Sequence, residues 1–408
     1  MTIRTQPAVV LALLTMAGCL PQAKPVPVEA PVAAAAPAPM PPQPREWLAP
    51  SVDMTPPSAV APWGTAWTRG RALPIALAGH KLVAVGTRLY VLGGLAQREH
   101  IGQRDTWTTT IGKDGGLGTW KKGPILPAPV AFHEALVADR RLYVVGGSSK
   151  EGMQNLYDTV ISAPVTREGG LGKWRTERAM PSKLVYPAAA VLNGRLYVLG
   201  GFDGSEYHDT LLYATLNADG SLGEWKTASA RYPHRIGRTT MTAVGTGLVV
   251  IGGFWSDSQG EHVSSLMLRG TPGPDGNVTE WGSEENLKIA SRPLRFSMAE
   301  AAGAFDGNFV YLFGGRDPDS LGTATAQASW INPRKGTLTR WQSGPELPLY
   351  GVKGAPQTAR LYQSSAAIVN RTAYVVGGFL FVRECTPEVW IQKLGAYVEP
   401  DWLKAGTK

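Results

Sequence analysis

The sequence predicts an all-β fold built from six copies of one four-stranded unit, and three observations predict it. A hydrophobic run ending in Gly-Gly occurs six times: Leu89–Gly94, Leu142–Gly147, Leu196–Gly201, Leu248–Gly253, Val310–Gly315 and Ala373–Gly378. The first glycines of successive pairs are 53, 54, 52, 62 and 63 residues apart. In five units a glycine stands five residues before a tryptophan: Gly115, Gly169, Gly220, Gly276 and Gly336 before Trp120, Trp174, Trp225, Trp281 and Trp341. Periods near ~50 residues belong to propeller blades, so six repeats predict a six-bladed β-propeller closed into one body.

The chain opens on an export signal. In residues 1–18, Arg4 precedes the apolar run Ala8–Leu14, and Met16-Ala17-Gly18 leads to Cys19. The run is short for a membrane span, which needs about 20 residues. Met-Ala-Gly-Cys resembles the lipobox of bacterial lipoproteins, which implies cleavage before Cys19 and lipid on its thiol. Leu20 then resembles outer-membrane sorting, with an ordinary secretory signal cut after Gly18 or Ala23 as the other reading. Residues 19–62 read as a disordered Pro/Ala-rich linker, because proline at this density blocks helices and removes ladder donors. Its reach is on the order of 100 Å. The propeller is expected over residues 63–403, with 404–408 a tail.

Each unit reads alike. A first strand such as His80–Val85 or Ala188–Leu192 meets a tight turn, as at Asn193-Gly194 or Asp306-Gly307, whose residues accept the positive φ of a hairpin. The second strand ends in Gly-Gly, where glycine permits backbone conformations closed to other residues. Third strands are expected at Asp105–Ile111, Asp158–Ile161 and Asp209–Tyr213, and a fourth strand carries the tryptophan as a packing anchor. A Tyr-bearing strand before Gly-Gly, with tryptophan closing the next hairpin, resembles the kelch repeat, in longer units than the common pattern. The resemblance covers about residues 63–403 and implies the propeller fold; kelch propellers include adaptors, enzymes and exported proteins.

Closure is legible as well. Trp67, Trp120, Trp174 and Trp341 are each followed by Leu-Pro or Met-Pro at Leu73, Leu126, Met180 and Leu347. Trp67 thus has a fourth-strand context with no first three strands before it. The segment around it is expected to pair with the last unit, whose third strand lies near Val389–Leu394; Trp402 is the competing candidate. Such pairing leaves no free sheet edge.

Chemistry is less legible. Phosphate-loop, His-Glu-x-x-His and Gly-x-Ser-x-Gly motifs do not occur, no cofactor is expected, and the six histidines lack ligand spacing. Cys385 reads as a packed thiol, and Asp317-Pro318-Asp319 as an acidic turn or a calcium contact. A net charge of +8 over 408 residues, with 18% charged side chains, comes without any nucleic-acid-binding module. Counting back 13 or 14 residues from each first glycine gives His80, His133, Arg238 and Gln363, with Tyr186, Arg235, Arg295, Arg360 and Tyr362 nearby. These are expected around one mouth of the channel, where arginine would grip carboxylates.

The function expected is non-enzymatic: a cell-envelope propeller, outer-membrane-anchored by lipid at Cys19, binding a protein or glycan partner that carries negative charge. The alternative is an acidic-sugar enzyme. Bacterial sialic-acid epimerases of the kelch type have a similar channel rich in arginine and acid, for which Glu206 and Glu300 are the candidate acids.

Overall fold

The computed structural model describes residues 62–96, 101–150, 154–257, 260–264, 266–282, 298–317, 322–332, 337–338, 341–349, 360–380 and 384–396. All regular structure among them is β-strand. The signal peptide, Cys19 and the linker to residue 61 fall outside this set, as do Arg295, Pro318, Asp319, Gly336 and Trp402.

Six sheets each carry one Gly-Gly run as their second strand. In order across the sheet, the first holds Lys81–Val85, Arg88–Leu92, Thr106–Thr110 and Lys121–Lys122. The second holds Glu134–Ala138, Arg141–Val145, Val160–Pro164 and Arg175–Thr176. The third holds Ala188–Leu192, Arg195–Leu199, Leu211–Thr215 and Lys226–Thr227. The fourth holds Thr240–Val244, Gly247–Ile251 and Met267–Gly270, with a single bridge from Gly270 to Trp281 beyond them. The fifth holds Ala302–Phe305, Phe309–Phe313 and Ala326–Asn332, the last paired with Gln342–Ser343. The sixth holds Ser365–Val369, Thr372–Val376, Val389–Lys393 and Thr68–Arg69.

Hairpin chemistry sets the first register of each sheet. Asn193 and Gly194 have φ of 49° and 67°, Asp139 and Arg140 45° and 62°, and Asn370 and Arg371 47° and 58°. Two consecutive positive-φ residues match the right-handed twist of the strands they join.

After their first residue the second strands are apolar, because both of their faces are covered. Leu89 and Val91 pack toward the sixth sheet, Tyr90 and Leu92 toward the second. The same division recurs at each junction, giving six buried clusters between neighbouring sheets, one of them between the sixth and the first.

The expected strands need two corrections. Third strands begin at Thr106, Val160 and Leu211, one or two residues later than the aspartates that were expected to start them. The residues just before these strands turn their carbonyls to the Gly-Gly pair instead: Gly93 donates to Asp105, Gly146 to Thr159 and Gly200 to Thr210. The tryptophans stand one residue before the short fourth strands rather than inside them.

The tryptophans also tie neighbouring units together. In the first three units the indole N–H donates to the carbonyl four residues past the preceding tryptophan: Trp120 to Arg71 (2.8 Å), Trp174 to Pro124 (3.4 Å) and Trp225 to Arg178 (3.0 Å); among the described residues the indole N–H groups of Trp281 and Trp341 have no partner. Trp67 obeys the same rule, donating to Pro345 at 2.9 Å. Thr68 and Arg69 pair antiparallel with Ile391 and Trp390. The N-terminal segment therefore holds the outer place in the last sheet.

A second relay explains two sequence repeats at once. In four units the tyrosine before Gly-Gly reaches into the next unit and donates to the glycine five residues before its tryptophan. The bonds are Tyr90 to Gly169 (2.7 Å), Tyr143 to Gly220 (2.7 Å), Tyr197 to Gly276 (3.1 Å) and Tyr374 to Gly115 (2.9 Å). The fourth unit has Val249 there, and Tyr311 of the fifth donates to Pro62, five residues before Trp67. A Cβ at Gly220, whose φ is 74°, would collide with Arg141 and press on the Tyr143 hydroxyl. Tyr143→Phe leaves a buried carbonyl unpartnered and is expected to destabilise by about 1–2 kcal/mol. Urea unfolding at an unchanged m-value measures it.

Candidate functional site

The first strands of the six sheets surround an axis, each beside the next, and the strand Ser365–Val369 returns to Lys81–Val85. Just before each strand, 14 residues ahead of the first glycine, stand Gly79, Phe132, Tyr186, Arg238, Glu300 and Gln363. All six have left-handed backbones, with φ between 51° and 63°. Each donates its N–H to the carbonyl of the one before: Phe132 to Gly79 (2.7 Å), Tyr186 to Phe132 (2.9 Å), Arg238 to Tyr186 (3.1 Å), Glu300 to Arg238 (2.9 Å) and Gln363 to Glu300 (3.1 Å). Gly79 donates to Gln363 at 2.9 Å, so the six bonds form a closed cycle. Left-handed backbone at non-glycine residues is costly and persists only where the surroundings enforce it; here the cycle is that enforcement.

The side chains of these residues fill the end of the axis. Gly79 leaves room for the Phe132 ring, which lies 4.7 Å from that of Tyr186. The Arg238 guanidinium sits 4.1 Å above the Tyr186 ring and donates to the Tyr207 hydroxyl at 3.2 Å. Arg238 also forms a direct ion pair with Glu300, and Gln363 donates to Glu300 at 2.9 Å. The Tyr186 hydroxyl reaches across to Gln363, opposite it in the cycle. The Glu300 side chain is 1% exposed and that of Arg238 11%. Burial alone would weaken the charge on Arg238, but Glu300 and the two tyrosines overcome this and raise its pKa. Burial raises that of Tyr186.

The expected mouth residues thus separate into three groups. Tyr186 and Arg238 are brought together in the plug, with Glu300 as the arginine's partner. Arg235 is exposed and ion-paired with Glu206, while Arg360 and Tyr362 are half-buried. His80 and His133, each 1% exposed, lie between sheets instead of at an opening. His133 packs against Gly93 and Gly147, and His80 against Gly94 and Gly377. Among the described residues, neither ring nitrogen of His133 has a hydrogen-bond partner. Counting back 13 residues finds these packed histidines, whereas a uniform count of 14 finds the cycle.

Burial drives both imidazoles far below the ordinary 6.5. His80 falls to about 4, with the Val376 backbone opposing and Lys81 adding to the effect. His133 falls to about 3, with Lys81 and His80 adding to it. The unfolded chain takes up protons near pH 6.5 and the folded one does not. Stability is therefore expected to be complete above about pH 6.5, to decline as pH falls below it, and to level off once pH passes under about 4 for His80 and about 3 for His133, a loss on the order of 3–5 kcal/mol per histidine. Denaturation midpoints between pH 7 and 4 check this; a His133→Gln variant should show a shallower decline.

Behind the plug lies a cavity of about 450 Å³, lined by the first strands of all six sheets. Its lining is mainly alanine, glycine, serine, threonine and aliphatic side chains, with one ion pair, Lys81 Nζ to Glu134 Oε2 at 2.9 Å. The sequence reading missed both residues. The signal was there: twelve residues before the first glycine stand Lys81, Glu134, Ala188, Thr240, Ala302 and Ser365, and only two of these are charged.

Comparison with known proteins agrees with the strand pattern. Residues 79–269 match a kelch-repeat family model. Its description is the KLHDC2/KLHL20/DRC7 Kelch-repeats domain, and the match runs from the first cycle residue into the fourth sheet. The chain is 28% identical over 178 residues to human Kelch repeat and BTB domain-containing protein 12, covering 40% of this chain and 28% of that protein. It is 24% identical over 285 residues to Kelch-like protein 36 of Rattus norvegicus, covering 69% of this chain and 42% of the rat protein. N-acetylneuraminate epimerase of Yersinia enterocolitica is 25% identical over 321 residues, with 68% of this chain and 78% of the enzyme covered. The chain spans less than half the length of the human and rat relatives it matches.

Proposed function

We propose that this chain is a six-bladed kelch-type propeller acting as a non-catalytic binding module at a bacterial cell envelope, held by lipid on Cys19. Six sheets, six inter-sheet cores and the closed cycle of backbone bonds support the blade count. One observation carries the binding reading: the strongest charged group at the plugged end, Arg238, is already committed to Glu300. A catalytic acid or base needs reach to a substrate and a pKa poised for transfer, whereas this pair is buried and mutually neutralised. The partner, a protein or a glycan, docks on the loops around the plug, where Arg235, Arg360 and Tyr362 are at least partly accessible and Ile101 is 40% exposed.

The similarity to the epimerase favours a second reading, an acidic-sugar enzyme. A single preparation separates the two. A photo-crosslinking residue at Ile101 is expected to give one discrete adduct in the envelope fraction, and one at Val137, on the opposite side of the cavity, none. Cys19→Ser is expected to release the protein from membranes. Epimerisation of N-acetylneuraminate, lost in Arg238→Ala, would establish the enzyme instead.

A further inference from the structure

The cavity is polar at one end and apolar at the other. Lys81 and Glu134 open their strands on the plugged side, and Glu134 is fixed there by accepting the Ala135 N–H through Oε1 at 3.0 Å. Three to four residues further along, Val137 and Phe305 are 39% and 38% exposed while lining the same space. At ~3.3 Å per residue, about 10 Å separates the ion pair from this apolar rim. The Lys81 and Glu134 side chains keep 33% and 15% exposure, so each retains hydrogen-bonding capacity for a guest.

We propose that the cavity binds an apolar α-amino acid. Such a molecule carries ammonium and carboxylate on one carbon, about as close together as Lys81 Nζ and Glu134 Oε2. Its carboxylate accepts from Lys81 and its ammonium donates to Glu134, completing a four-charge cluster of charge-assisted bonds. The small side chains around the middle of the cavity leave the width for the guest, and its apolar side chain points toward Val137 and Phe305. The volume lies within the range of small-molecule sites. No bond is made or broken, and the site is separate from the loop surface proposed for the macromolecular partner, so either assignment can fail alone.

Isothermal titration with leucine, phenylalanine and tryptophan tests the site, with N-acetyl-leucine and leucinamide as single-charge controls. Binding is expected for the three amino acids, with each control weaker by roughly tenfold or more. Lys81→Met and Glu134→Gln should weaken leucine binding to a similar degree, and Phe305→Ser should weaken phenylalanine binding more than alanine binding. The ligand-side controls need no altered protein, so a variant that fails to fold leaves the test intact. No heat from any of the three up to about 10 mM, or equal binding of leucine and both controls, would overturn the site.

Discussion

Removing residues 63–70 is expected to unlatch the last sheet and to lower stability more than any other change of comparable size. This segment supplies Thr68 and Arg69 to the strand Val389–Lys393 and places two tryptophans on the fifth sheet. Trp63 meets the rings of Tyr311 and Phe313 at 5.5 and 6.4 Å, and Trp67 meets Phe313 at 5.5 Å. Trp67 also belongs to the largest buried cluster, which joins the fifth and sixth sheets. Truncating one such aromatic costs about 3–5 kcal/mol, so Trp67→Ala alone should consume much of a typical domain's 5–15 kcal/mol. The full deletion also exposes the edge of Val389–Lys393, and aggregation on heating is the expected outcome. Deletion of residues 20–55, within the Pro/Ala-rich linker, should leave the melting temperature unchanged. Calorimetry of the two deletions side by side checks the pair, and equal melting temperatures would contradict the latch.

Glu300→Ala is expected to be the most damaging single change among the charged residues, at about 3–5 kcal/mol. The reason is the partner it abandons. Arg238, 11% exposed, would keep its charge under Tyr186 and Phe254 with no carboxylate at contact distance, and removing one member of a buried pair costs this much. Replacing both, as Arg238→Met with Glu300→Leu, should recover most of the loss, because no buried charge is then left. A double-mutant cycle by urea unfolding gives the coupling. If the double variant is as unstable as the sum of the singles, the pair is not the unit described.

The repeat was legible in the sequence because it is written in residue types with one dominant role each. Gly-Gly marks the end of every second strand, and Asn193-Gly194 or Asp306-Gly307 marks a hairpin. In the first three units the tryptophan and the glycine five residues before it both belong to inter-unit bonds, and the same spacing rule made the odd context of Trp67 readable. The chemistry at the axis was harder to read. Phe132, Tyr186, Arg238, Glu300 and Gln363 share a backbone position and no side-chain property, so no motif unites them; only their left-handed φ and their mutual bonds do. Arg238 looked like an anion grip because its counter-charge, Glu300, lies 62 residues away in the next unit. His80 and His133 looked accessible for the same reason: each is enclosed between a glycine of its own unit and one of the preceding unit, Gly377 for His80 and Gly93 for His133.

The cycle of six backbone bonds is the centre of this account, and native-state hydrogen exchange tests it directly. The amides of Gly79, Phe132, Tyr186, Arg238, Glu300 and Gln363 should exchange together, at the free energy of global unfolding. Deletion of residues 63–70 should lower all six in step. Fast exchange at Gly79, whose N–H makes the closing bond to Gln363, with slow exchange at the other five would show an open chain of sheets, and would contradict the closed ring.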